Sequence, residues 1–224
     1  MIFTSIDFIV FFIFILGVVA IVKHRKFQHL ILLGGSYYFF YFSSNYLIVL
    51  LIFSTILDFY LAKLIYSTDN IFRKKLFLII SLVGNLGLLG FFKYSDFAIL
   101  QFNILGNYFD VGANIPFINL ILPLGISFYT FQTISYTIDV YRGTLKPSKT
   151  FSEFALFVAF FPQLVAGPIL RAKQFLPQLR EKMEDYEING NIRRILFKSA
   201  NVKFGITLMA FGFIKKMFFA DNIA

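Results

Sequence analysis

Gln132, Ser135 and Asp139 stand three and four residues apart in an otherwise apolar stretch, LPLGISFYTFQTISYTIDVYRG. Residues at that spacing share a helical face. An amide, a hydroxyl and a carboxylate in one row can line a polar path through apolar surroundings. A second stretch, FALFVAFFPQLVAGPILR, sets Gln163 between Pro162 and the pair Gly167-Pro168. Polar groups beside a broken helix suit a pore or a substrate path. Asp58 lies in a third apolar run with Ser54 and Thr55 one turn back. An acid inside such a run marks a functional site or a hydrogen-bonding post between helices, and the second reading is taken here. Asn85 is read in the same way, among Gly84, Gly87 and Gly90, small residues that let helices approach closely. His24 and His29 are the only histidines. Both adjoin the basic cluster Lys23, Arg25 and Lys26, without a carboxylate or second histidine at ligand spacing. They are read as surface or interfacial residues, and no metal site is expected.

The elements that carry these groups must be apolar helices. Leu122–Tyr141 is predicted as one helix, with Pro123 in its first turn, where a missing N–H is no loss. About 20 residues rising 1.5 Å each cross a hydrocarbon core of about 30 Å. At 100° per residue Ser127, Thr130, Thr133 and Thr137 fall on one side, and Gln132, Ser135, Asp139 and Arg142 nearly opposite. A helix polar on both sides belongs inside a bundle, with Asp139 near its end or paired with Arg142. Phe151–Leu170 is different. Pro162 removes a donor and steers Phe161 away from helix, and Gly167-Pro168 repeats the interruption. About 11 residues precede Pro162, half a bilayer. Irregular backbone at membrane depth survives only when protein or a cavity surrounds it. A broken or re-entrant segment is therefore expected.

Composition agrees. Hydrophobic residues make up 58% of the chain, above the roughly 45–50% of soluble domains. The fold class is an all-α polytopic membrane protein, a bundle of transmembrane helices in one domain over 1–224. Candidate spans are 6–22, 30–42, 45–66, 76–92, 120–141 and 204–220, with an interfacial helix and loop over 96–117. There is no cysteine, so disulfides and thiolate chemistry are excluded. The formal charge is +9. With the N-terminus outside, the inner segments 23–29, 67–75, 142–150 and 171–203 hold 17 of the 21 lysines and arginines. That is the positive-inside pattern, not a nucleic-acid face. Arg171 is read as an inner-face charge. The N-terminal run lacks the basic start and cleavage site of a signal peptide.

The two motif stretches together resemble the membrane-bound O-acyltransferase family, in its bacterial branch of alginate O-acetyltransferase membrane proteins. MIFTSIDFIVFF, SYYFFYF, FSTILDF and FGFIKKMFFADNIA fit the same branch. The resemblance covers the chain but only the N-terminal half of such an enzyme. It implies acetyl transfer towards an exported polysaccharide or other hydroxyl acceptor. It implies acetyl-CoA or another acyl thioester as donor, no bound cofactor, an inner-membrane location and a soluble extracytoplasmic transferase as partner. Gln132, Ser135, Asp139, Pro162, Gln163, Gly167 and Pro168 are then candidates for a substrate tunnel, and Asp58 and Asn85 for structural roles. The family's catalytic histidine, the base that takes the hydroxyl proton, matches neither His24 nor His29 and is expected beyond residue 224. A transporter is the rival, since broken helices with polar residues also serve transport, but no repeated halves are visible. A non-catalytic scaffold is the third reading.

Overall fold

Ser5 opens the first helix, its hydroxyl accepting the Phe8 N–H at 3.2 Å. The structure, a computed structural model, describes residues 5–22, 25–109, 114–123, 125–164, 170–184 and 199–220. Nine α-helices are described: α1 (Ile6–Ile21), α2 (Arg25–Ser44), α3 (Ile48–Ser67), α4 (Ile71–Tyr108), α5 (Ile126–Tyr141), α6 (Phe151–Ala159), α7 (Phe161–Leu164), α8 (Ala172–Glu184) and α9 (Ser199–Ile214). No strand occurs among the described residues. Two segments, Phe27–Ser67 and Ile71–Tyr108, are long and apolar enough to cross a membrane, and α1 and Val202–Ile214 are shorter apolar helices. The protein is a helical membrane protein.

The chain divides into two compact units, Met1–Leu32 with Glu181–Ala224, and Leu33–Arg180. In the first, Gln28 closes the end of α1. Its amide nitrogen donates to the carbonyls of Val19 at 2.9 Å and Val22 at 2.8 Å, groups that a helix end leaves without partners. His29, one residue on, is buried rather than on the surface. The apolar residues around it in α2 enclose it, which the neighbouring basic cluster disguised. His24 lies outside the described residues. The helix α9 continues as a π-helical turn over Lys215–Ala220.

The second unit is built on α3, α4 and α5. Asn45, with φ of 52°, opens the turn Asn45–Leu47 that separates α2 from α3. Phe40, Leu51, Phe59, Tyr136, Phe154 and Phe157 form the middle of its core. The Tyr136 and Phe154 rings lie 4.3 Å apart, and Phe59 meets Phe154 at 6.3 Å. Lipid is as apolar as these side chains, so close packing and hydrogen bonds between helices hold such a unit, rather than escape from water. Gly84 is where α4 comes close to α3: a Cβ there would lie 2.7 Å from Leu57 Cδ2. Gly87 and Gly90 have open space around them, so only one of the three glycines serves the contact expected of all.

Three element boundaries differ from expectation. The fourth span does not end at Phe92. The helix runs unbroken to Tyr108, because the polar residues after Lys93 are scattered among apolar ones and no proline intervenes. The helix predicted from Leu122 begins at Ile126, capped by Gly125 with φ of 72°, and Pro123 precedes it. The third difference lies at Pro162.

Candidate functional site

The helix α6 starts with Thr150, whose hydroxyl accepts the Glu153 N–H at 3.3 Å, while Glu153 Oε2 accepts the Lys149 N–H at 3.0 Å. This is a capping-box arrangement shifted by one residue. It fixes where the helix begins, and nine residues later it stops. The break falls at Phe160, with ψ of 106°, one residue earlier than the sequence suggests. Phe161 is not steered out of the helix. It opens the short turn α7, and Pro162 sits in that first turn, where no N–H is needed. The proline restarts the helix instead of breaking it. The Phe161 N–H is taken by the Ser36 hydroxyl of α2 at 3.3 Å, and the Phe161 ring packs on Phe39 at 5.9 Å. Pro162 itself is exposed. The second interruption, Gly167-Pro168, lies outside the described residues.

The break meets the start of α5. A Cβ on Gly125 would collide with the Leu164 carbonyl oxygen, and its positive φ already favours glycine. Next to this pinch stand two buried polar groups. Gln163 is 9% exposed, and neither its amide nitrogen nor its amide oxygen has a partner. Tyr129, one turn along α5 from Gly125, is 2% exposed, and its hydroxyl has no partner either. Its ring meets Phe40 at 6.2 Å, beside the Phe39 that holds α7. Leaving a buried donor or acceptor without a partner costs about 1–3 kcal/mol each. Such groups in a native site invite a ligand.

Gln132 does not share this character. Its amide nitrogen donates to the Phe157 carbonyl at 2.7 Å and so ties α5 to α6. The Ser135 hydroxyl turns back to the Gln132 carbonyl at 2.8 Å. Asp139 is half-buried at the end of α5 and forms no ion pair with Arg142 among the described residues. Its backbone carbonyl accepts Thr144 N–H at 3.0 Å and Leu145 N–H at 3.2 Å, which turns the chain out of the helix. So the row Gln132–Ser135–Asp139 is divided among a strut, a self-bonded hydroxyl and a helix end. Arg171 is exposed.

The opposite side of α5 joins a polar knot with α3 and α4. Asp58 accepts from the Ser81 hydroxyl, from Asn85 Nδ2 at 2.8 Å and from the Thr137 hydroxyl at 3.2 Å. Asn85 Oδ1 accepts in turn from the Ser54 hydroxyl and from Thr133 at 3.3 Å. All six residues are buried. Every strong group in the knot has a partner, so it fixes three helices and offers nothing to a ligand. Among the described residues no cluster of three potential metal ligands exists. Sequence reasoning missed Tyr129 and Ser36. Neither has a charged neighbour or a spacing signal, since the break that makes them matter is tertiary.

The comparisons with known proteins match this architecture to a class. The peptidoglycan O-acetyltransferase of Helicobacter pylori is 33% identical over 196 residues, 76% of this chain and 34% of that protein. A probable alginate O-acetylase of Pseudomonas aeruginosa is 40% identical over 149 residues, 66% of this chain and 26% of that protein. Its counterpart in Pseudomonas putida is 41% identical over 142 residues. The chain belongs with these membrane-bound O-acyltransferases, the family its motifs resemble. It spans between about a quarter and a third of the length of the curated relatives it matches. No family model matches the chain, and no solved structure matches it.

Proposed function

We propose that this chain is part of a membrane O-acetyltransferase acting on a cell-surface polysaccharide. The identity to relatives named for alginate and for peptidoglycan carries this reading, since both are polysaccharides bearing hydroxyl acceptors. The acetyl carbon leaves a thioester sulfur and bonds to the acceptor oxygen. The hydroxyl proton passes to a general base, and a thiol is released. Acetyl-CoA, made on the inner side, is the proposed donor, and a soluble transferase on the outer side the proposed partner. The protein sits in the cell membrane with its N-terminus outside, which places 17 of its 21 lysines and arginines inside. The histidine base belongs to a part of the whole protein outside these 224 residues.

Within the chain, the break between α6 and α7 is the proposed lining of the donor path. Its support is the Gln163 amide, which can give one hydrogen bond and accept another. Deleting the whole gene from its host tests the function. Base-labile acetate in the envelope polysaccharide should fall to background and return on complementation. Unchanged acetate in the deletion strain contradicts the reading.

A further inference from the structure

The helix α4 is too long for the membrane it crosses. Its 38 residues extend about 57 Å, against about 30 Å of hydrocarbon. The basic cluster Arg73, Lys74 and Lys75 marks one boundary, and the uncharged run from Leu76 to Phe92 is about 26 Å, nearly one crossing. Beyond Lys93 the helix continues for about 22 Å to Tyr108.

That far half has one charged residue, Asp96. Its carboxylate is occupied. Oδ1 accepts the Ile118 N–H at 2.9 Å, and Oδ2 the Asn119 N–H at 3.2 Å. Two turns along, Asn103 pairs both ways with Ile115, each bond 2.9 Å. The extended segment 114–123, itself without a charge, is thereby strapped along the polar side of the helix. On the wheel, Tyr94, Phe97, Leu105 and Tyr108 fill a sector of about 80°, centred about 150° from Asp96 and Asn103. These four are 54%, 61%, 55% and 82% exposed. Ile121 and Leu122 of the strap are exposed as well.

The geometry points to the far half of α4 and its strap as a lipid-contact surface, seated in the headgroup and acyl boundary of the leaflet opposite the Arg73–Lys75 cluster. Three observations select lipid over a protein partner or water. The surface is continuous with the exposed apolar side of the crossing half, at Leu76, Ile79, Ile80 and Val83. The only charge is turned inward and bonded to backbone. The outward residues are tyrosine, phenylalanine and leucine without arginine or acid, the composition of an interfacial belt rather than of a protein interface with a charged rim. A tilt of about 40° brings about 57 Å within the roughly 45 Å that includes both headgroup layers, at the upper end of observed tilts. The strap leads into Pro123 and Gly125, so the lipid-seated element also places the pinch at Leu164.

The sequence has no cysteine, so single introduced cysteines report alone. Phe97→Cys, Leu105→Cys and Tyr108→Cys, each spin-labelled in the whole protein, go into vesicles of phosphatidylcholine and phosphatidylglycerol. Power saturation with oxygen and with a water-soluble nickel chelate reads the surroundings of each label. All three should collide with oxygen several-fold more than with the chelate. Dominant collision with the chelate would mean that the helix projects into water. Protection from both would mean that protein, including a second copy, covers it. Either result overturns the assignment.

Discussion

Gln163 and Asp58 are both polar side chains buried in an apolar chain, yet substitution should separate them. Asp58 holds hydrogen bonds from Ser81, Asn85 and Thr137. Removing it leaves those donors facing nothing. Asp58→Ala should cost about 2 kcal/mol, several times the roughly 0.6 kcal/mol of one average hydrogen bond between membrane helices. Thr137→Val should cost only about that smaller amount. Thermal loss of the monodisperse peak in detergent would order them, and equal loss would contradict the knot. Gln163→Leu goes the other way. It removes two groups that have no partner, so stability should hold or rise slightly while acetyl transfer by the whole protein falls. Asp58 was legible as a structural post because an acid inside an apolar run needs partners. Gln163 was legible through the prolines beside it. Tyr129 was not, because a tyrosine among apolar residues looks like packing until the partner of its hydroxyl is sought.

At the scale of elements, two glycines give opposite expectations. Gly125→Ala places a Cβ against the Leu164 carbonyl in a left-handed backbone, a strain of about 1–3 kcal/mol before any collision is relieved. Membrane abundance should drop several-fold. Gly87→Ala meets open space and should leave abundance unchanged or slightly raised, as alanine favours helix by about 1 kcal/mol. Similar abundance for the two variants, measured side by side, would remove the pinch from this account. Asp139→Ala should impair transfer more than Gly87→Ala at equal abundance, since Asp139 carries a half-buried charge with no partner at the end of α5. The helices themselves were largely readable: the first span is Ile6–Ile21, one residue short of its predicted end, and α3 is shifted by a few residues. Ends set by tertiary contacts were not. The cap of α5 depends on a carbonyl from α7, and the break before α7 depends on a hydroxyl from α2, neither of which local spacing encodes.

For the whole molecule, the membrane class followed from composition and the family from two motif stretches. The chemistry did not follow from either, because this chain contributes walls and struts, and its two histidines lie in or beside α2, away from the broken helix in the sequence. The account therefore turns on whether the α6–α7 break serves an acetyl donor. The most direct measurement uses the purified whole protein, wild type and Gln163→Leu, in vesicles with radiolabelled acetyl-CoA and a polysaccharide acceptor. Wild type should place base-labile label in the polysaccharide. Gln163→Leu, folded to the same thermal stability, should transfer at least tenfold more slowly, about 1.4 kcal/mol of lost transition-state stabilisation. Equal rates would mean that the unpartnered amide has no part in the reaction, and no transfer by wild type from this donor would contradict the proposed chemistry itself.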